Sequence, residues 1–201
     1  SFFGMDKDEF SSIARIWSVR FPHLSFAGIH LFHGSQNLNL EALQASLMQT
    51  ADLISNIDLP SKPKIINIGG GLGIPYAPKD RPLNLDQLKD TYAHVVANIR
   101  ARFGDVKICT ELGRFISGPA GLYVCRVLDK KFTAGNAFIV TNSGLHHFSA
   151  ATGNFGQVLK KNHPIWPLHP NLDAPDQRVT ISGRLCTPID VFAKRIILPP
   201  L

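Results

Sequence analysis

Ile65-Ile-Asn-Ile-Gly-Gly-Gly-Leu-Gly-Ile-Pro-Tyr76 is a short, mostly β-branched run that stops in three consecutive glycines. Isoleucines at 65, 66 and 68 suit a buried strand, because branched side chains pack well on a pleated surface. Glycine loses more conformational freedom on folding than any other residue, so three in a row are poorly explained by an ordinary turn. At the C-terminal end of a buried strand they expose backbone N–H groups with no Cβ in the way. A phosphate fits such a loop.

Outward from this stretch the chain alternates. Residues 6–20 place Phe10, Ile13, Ala14 and Trp17 at helical spacing, with Asp6, Asp8 and Glu9 in the first turn. Residues 25–32 read as a strand, and Gly34-Ser35-Gln36 turns the chain. Asn39 can cap a helix whose apolar stripe is Leu43, Leu47, Ala51 and Ile54. After the strand at 64–68 and its glycines, Asn84 can cap a further helix carrying Leu85, Leu88, Tyr92, Val95, Val96 and Ile99. Gly104 ends it, and 106–110 is another buried strand, running into Glu111-Leu-Gly-Arg114. This α-β-α-β-α-β order with short connections predicts parallel strands covered by helices. Beyond Arg114 the helical pattern fades. Strands are expected at 121–131, 137–142, 178–182 and 195–198, with a long polar connection over 153–175. The expected division is therefore an α/β part over 1–115 and a β-rich part over 116–201.

Composition narrows the class. The 201 residues are 44% hydrophobic and 18% charged, as in a globular protein with a core. No apolar run approaches the roughly 20 residues of a membrane span, and no signal-peptide pattern opens the chain. The net charge of +6 is spread along the sequence, which favours a solvated surface over a nucleic-acid footprint. Cys109, Cys125 and Cys186 are odd in number and widely spaced, which suggests a reducing, cytoplasmic setting. The opening Ser1-Phe-Phe-Gly-Met5 and the final Pro199-Pro-Leu201 look like cut ends, so a fragment is expected.

Ligands of parallel α/β folds bind at the C-terminal ends of the strands. Three predicted strands end there in His33-Gly-Ser-Gln36, Gly69-Gly-Gly71 and Glu111-Leu-Gly-Arg114. Ser35 offers a hydroxyl, the glycines offer N–H groups and Arg114 offers a guanidinium fork, which together suit a phosphate. Glu111 would repel that phosphate unless it faces a cation at the far end of the ligand. Pyridoxal phosphate has both ends, and a carboxylate against its ring nitrogen favours the protonated ring that accepts electrons from a carbanion. A local ion pair between Glu111 and Arg114 is the plain alternative.

The segments Gly28-Ile-His-Leu-Phe-His-Gly-Ser-Gln36, Asn67-Ile-Gly-Gly-Gly71, Glu111-Leu-Gly-Arg114 and Gly183-Arg-Leu-Cys-Thr-Pro-Ile-Asp190 resemble, in order and spacing, those of the pyridoxal-phosphate decarboxylases of diaminopimelate, ornithine and arginine. The resemblance covers nearly the whole chain. It implies the C-terminal part of a (β/α)8 TIM-type barrel of the alanine-racemase kind, followed by the start of a β-rich domain. It places Phe32, Ser35, Gly69, Gly70, Gly71, Gly113 and Arg114 around the cofactor, with Glu111 on the ring nitrogen. Cys186 would reach the active site of a partner subunit in a homodimer and protonate the carbanion, with Thr187 and Asp190 towards the substrate. A buried core cysteine is the plain reading of Cys186.

The chain also departs from that family. The cofactor lysine belongs to an early barrel strand outside this sequence, and Lys64 and Lys107 precede their strands, at the wrong end of a barrel. The piece alone is thus expected to be inactive. Phe32 stands where the family stacks a histidine on the ring, with His33 beside it. Thr187 replaces the acidic residue that holds a basic substrate's distal amine, and no arginine lies between Gly144 and Asn154. Gly144-Leu-His-His147, Gly153-Asn-Phe-Gly156 and the Cys186 segment look closer to the exosortase-associated decarboxylases and to the butirosin-pathway enzyme acting on carrier-bound glutamate. A non-basic or carrier-tethered amino acid is therefore the expected substrate. A metal hydrolase built on His30, His33, His146 and His147 fits poorly, because period two places His30 and His33 on opposite strand faces. A non-catalytic cofactor-binding relative and a racemase are the remaining alternatives.

Overall fold

The computed structural model describes residues 4–77, 79–152 and 162–200. They form two compact units, residues 1–74 with 81–120 and residues 75–80 with 121–201.

The first unit contains β1 (Gly28–His30), β2 (Ile65–Gly70) and β3 (Lys107–Glu111), all parallel, with β2 in the middle. Helices α2 (Leu40–Asn56) and α3 (Asp86–Phe103) make the two crossovers, and α1 (Lys7–Arg20) precedes them. Ile66 and Ile68 of β2 face the helices and meet Leu43, Leu47, Ala51 and Ile54 of α2 and Leu88, Val95 and Ile99 of α3. Ile54, Ile66, Leu88, Val95 and Ile99 are fully buried. Each such side chain stabilises the packing by about 1.5–3 kcal/mol relative to exposure. Arg102 of α3 donates to the carbonyls of Ile54 and Ile57, satisfying acceptors at the C-terminal end of α2.

The caps follow from single residues. Asp6 accepts from the Glu9 N–H ahead of α1, and Asn39 accepts from the Ala42 N–H ahead of α2. Asn84 behaves differently from expectation. Its side chain accepts from the Asp86 N–H in an Asx turn, and Leu85 occupies the cap position of α3. Gly104 closes α3 at φ +68°. Strand β2 runs two residues further than its isoleucines suggest, through Gly69 and Gly70, since Gly70 pairs with Glu111 after a register shift. Arg114 lies on a short helix that the sequence pattern did not announce, α4 (Gly113–Ser117), followed by a 3-10 turn over Gly118–Ala120.

The second unit holds one mixed sheet in the order β4 (Val127–Thr133), β5 (Asn136–Thr141), β6 (Gln177–Ser182) and β7 (Val191–Leu198). Ala134 and Gly135, both at positive φ, make a two-residue hairpin between β4 and β5. Strands β5 and β6 are parallel, joined by the long connection that includes residues 153–161, outside the described residues. Of the expected strand at 121–131 only the part from Val127 is extended into the sheet, while β7 begins at Val191 rather than 195. Ala137, Ile139, Val179, Ile181 and Phe192 form this unit's core.

Candidate functional site

A cavity of about 100 Å³ opens at the C-terminal edge of the parallel sheet, walled by Phe32, Gly34, Ser35, Gln36, Gly70, Gly71, Leu72, Glu111, Leu112 and Arg114. Three strand ends thus contribute to one wall, and of the residues expected around the cofactor Phe32, Ser35, Gly70, Gly71, Glu111 and Arg114 line it. Gly69 and Gly113 adjoin this wall rather than line it. Gly69 and Gly71 have φ of +72° and +101°, which side chains other than glycine rarely adopt. Gly70 is required for a separate reason, since a Cβ there would run into the Glu111 carbonyl.

Polar cross-links hold the cavity open. Asn67, midway along β2, accepts from the Gly69 N–H at 2.9 Å and donates to Glu111 Oε1 at 2.9 Å. His30 of β1 brings Nε2 within 3.3 Å of Glu111 Oε2. Both carboxylate oxygens of Glu111 are therefore oriented by the other two strands of the sheet, since Asn67 is the register partner of His30. Gln36 braces the other side. Its Nε2 donates to the Ile74 carbonyl, and its Oε1 accepts from the Ile74 N–H and, at 3.5 Å, from Arg114 Nη1. Gln36 itself sits at φ +56°, an unusual conformation for a residue with a side chain. Asn37 extends the brace by donating to Gly71 O and accepting from the Gly73 N–H.

His33 turns away from this cavity and its Nε2 contacts Thr50 Oγ1 on α2. Burial holds its imidazole below the usual histidine range. Phe32 is 70% exposed and free to offer a ring face. Gln36, Asn67 and His30 are functional candidates that motif reading left out of the site. All three stand inside the family-resembling segments, and Asn67 carries a further signal as a polar residue between two isoleucines of a strand.

In the second unit Cys186 and Thr187 lie in the turn between β6 and β7, and Cys186 is exposed. Asp190 is only 2% exposed. Its carboxylate is turned onto backbone N–H groups rather than to solvent. His146 and His147 follow β5, with ring centroids 3.9 Å apart, and His147 Nδ1 is 3.3 Å from Ser143 Oγ. The Gly153-Asn-Phe-Gly156 motif lies outside the described residues.

A glycine-walled recess with one arginine and one braced carboxylate, at the C-terminal rim of a parallel α/β sheet, has the chemistry to receive an anionic cofactor. Residues 2–118 match the family described as pyridoxal-dependent decarboxylase, pyridoxal binding domain, and the chain belongs to that family. It is 32% identical to the L-glutamyl-[BtrI acyl-carrier protein] decarboxylase of Niallia circulans, over 99% of this chain and 47% of the relative. It is 27% identical to the diaminopimelate decarboxylase of Methanothermobacter thermautotrophicus, over 87% of this chain and 40% of that protein. In structure it resembles diaminopimelate decarboxylase from Helicobacter pylori complexed with L-lysine, with TM-score 0.75 and 22% identity over 99% of this chain and 46% of the other. The chain spans about half the length of these relatives. The family's cofactor is pyridoxal phosphate.

Proposed function

We propose that this chain supplies the phosphate cradle, the ring-nitrogen carboxylate and the protonating acid of a pyridoxal-phosphate-dependent amino-acid decarboxylase. One observation carries the reading: Ser35, Gly70, Gly71, Glu111 and Arg114, at or just beyond the ends of three strands, wall a single cavity. The residues fit the cofactor. The glycine wall admits an anion close to the backbone, Arg114 and the Ser35 hydroxyl complement its charge, and Glu111, beside Gly70 on the next strand, offers a carboxylate to the ring nitrogen. Bound there, pyridoxal phosphate supplies the electron sink for the pair left when carbon dioxide departs.

The protein's own groups do the rest. Asn67 and His30 keep the Glu111 carboxylate facing the recess. Phe32 covers a ring face and excludes water. Cys186, contributed by a second copy in a homodimer, returns a proton to the substrate carbon. Thr187 beside it leaves no carboxylate for a distal amine, which favours a non-basic or carrier-tethered substrate in a cytoplasmic enzyme. The 32% identity to a decarboxylase of a carrier-bound glutamyl group supports the same substrate class. Lys107 begins the strand that Glu111 ends, so it lies roughly 13 Å from the rim at 3.3 Å per residue. The lysine that bonds the cofactor is therefore sought elsewhere in the full-length protein.

The test is direct. Purified full-length protein with pyridoxal phosphate should show visible absorbance bleached by borohydride, and should release carbon dioxide from a glutamyl-carrier conjugate far faster than from free diaminopimelate or ornithine. Absence of the visible band removes the cofactor reading. Efficient turnover of free diaminopimelate removes the substrate reading and leaves the decarboxylase.

A further inference from the structure

Asp190 is a charged residue in a nearly waterless place, at 2% exposure, and among the described residues no ion pair with it is found. A buried carboxylate is costly unless its oxygens are hydrogen-bonded. Here the donors are backbone amides of two different loops. The Leu145 N–H donates to Oδ1 at 2.6 Å, from the corner after β5 that carries His146 and His147. The Leu185 N–H donates to Oδ2 at 2.9 Å, from the turn after β6 that carries Cys186.

Main-chain bonds close the same knot. The Gly183 N–H donates to the Asp190 carbonyl at 2.9 Å, the Asp190 N–H to the Thr187 carbonyl at 3.1 Å, and the Arg184 N–H to the Ser143 carbonyl at 2.9 Å. Glycines make room for it. A Cβ on Gly144 would lie 2.7 Å from Asp190 Oδ2, and one on Gly183 would lie 2.2 Å from the same oxygen. Two loops from different strands thus share one carboxylate, which no larger residue at 144 or 183 would admit.

We infer that Asp190 is a positioning residue that locks the Cys186 turn to the His146–His147 corner, so that thiol and imidazoles are presented as one rigid element. Its carboxylate then acts on the reaction through Cys186 and does not itself meet the substrate. The inference rests on the decarboxylase reading only for what Cys186 does, since the lock lies wholly within the second unit.

Asp190→Asn in the full-length protein is the test. The amide keeps the shape but turns an NH2 group towards one of the two N–H donors, so one loop is released. Hydrogen exchange at Leu145 or Leu185 should accelerate by about tenfold or more, as expected when a charge-assisted bond is lost. Cys186 should change its rate of alkylation by iodoacetamide several-fold, mapped by peptide mass spectrometry, while Cys125 in the same unit keeps its rate. With active protein, kcat should fall by about tenfold with KM within twofold, as for a group acting on the chemical step.

Released amides with an unchanged Cys186 rate and unchanged kcat would overturn the inference. Should the variant fail to fold, the unmodified protein decides: fast exchange at Leu145 and Leu185 overturns the lock, and slow exchange at both upholds it. If the unmodified protein releases no carbon dioxide, the decarboxylase reading fails, while the exchange and alkylation measurements still judge the lock.

Discussion

Gly70→Ala probes the cradle at its tightest point. An alanine Cβ would lie 1.8 Å from the Glu111 carbonyl oxygen, 2.7 Å from its carbonyl carbon and 3.5 Å from its Cα. All three are backbone atoms of β3, paired with β2 at this register, so no rotamer change relieves the clash. Restoring ordinary contact requires the two strand ends to part by roughly 1.5 Å. Overpacking of this kind costs about 1–3 kcal/mol. The folded-to-unfolded ratio should fall by roughly 5- to 150-fold. The separation also moves Glu111 relative to the glycine loop, so cofactor affinity should drop together with stability. Gly113→Ala is the stability control, because nothing lies within 4 Å of a Cβ placed there. The assay is urea unfolding of the full-length protein, with cofactor titration by fluorescence. If Gly70→Ala unfolds at the same urea concentration as Gly113→Ala and binds pyridoxal phosphate undiminished, the close approach of Gly70 to Glu111 is refuted.

Gln36→Ala removes both bonds to Ile74 and the contact with Arg114. At about 1 kcal/mol net for each bond lost, the unfolding free energy from urea titration should fall by about 2 kcal/mol, and unchanged stability would count against the brace. Asn67→Asp sets a second carboxylate where an amide now stands 2.9 Å from Glu111 Oε1. Its unfolding midpoint should fall below that of the unmodified protein at about pH 8, and less so near pH 4.5, where carboxylates begin to take up protons. His33 adds a pH dependence with a defined sign. Because burial lowers its folded pKa below the unfolded value of about 6.5, the unfolded chain binds its proton first. Its contribution to stability is present above that value and is lost as pH falls through the lowered folded one. His33→Leu should flatten the fall of the urea midpoint as pH drops below about 6.5, and an unaltered slope would exclude His33 as the source.

The amino-acid sequence by itself determined the order of helices and parallel strands. Apolar spacing over Leu43, Leu47, Ala51 and Ile54 has only one periodicity that buries all four, and isoleucines before Gly69 can only serve a covered strand. It also determined which loops meet, since parallel strands must bring their C-terminal ends to one edge. What only the tertiary structure decided was how those loops are held. Glu111 is aimed by Asn67 and His30 from the other two strands, and Gln36 reaches Ile74 and Arg114 across long stretches of chain. No local pattern encodes such pairings, because register and side-chain direction arise only after the strands have packed. Asp190 shows the same limit most clearly: near Cys186 in sequence it reads as part of a substrate motif, and only the packed structure shows it buried beneath two glycines with its carboxylate on N–H groups of two loops.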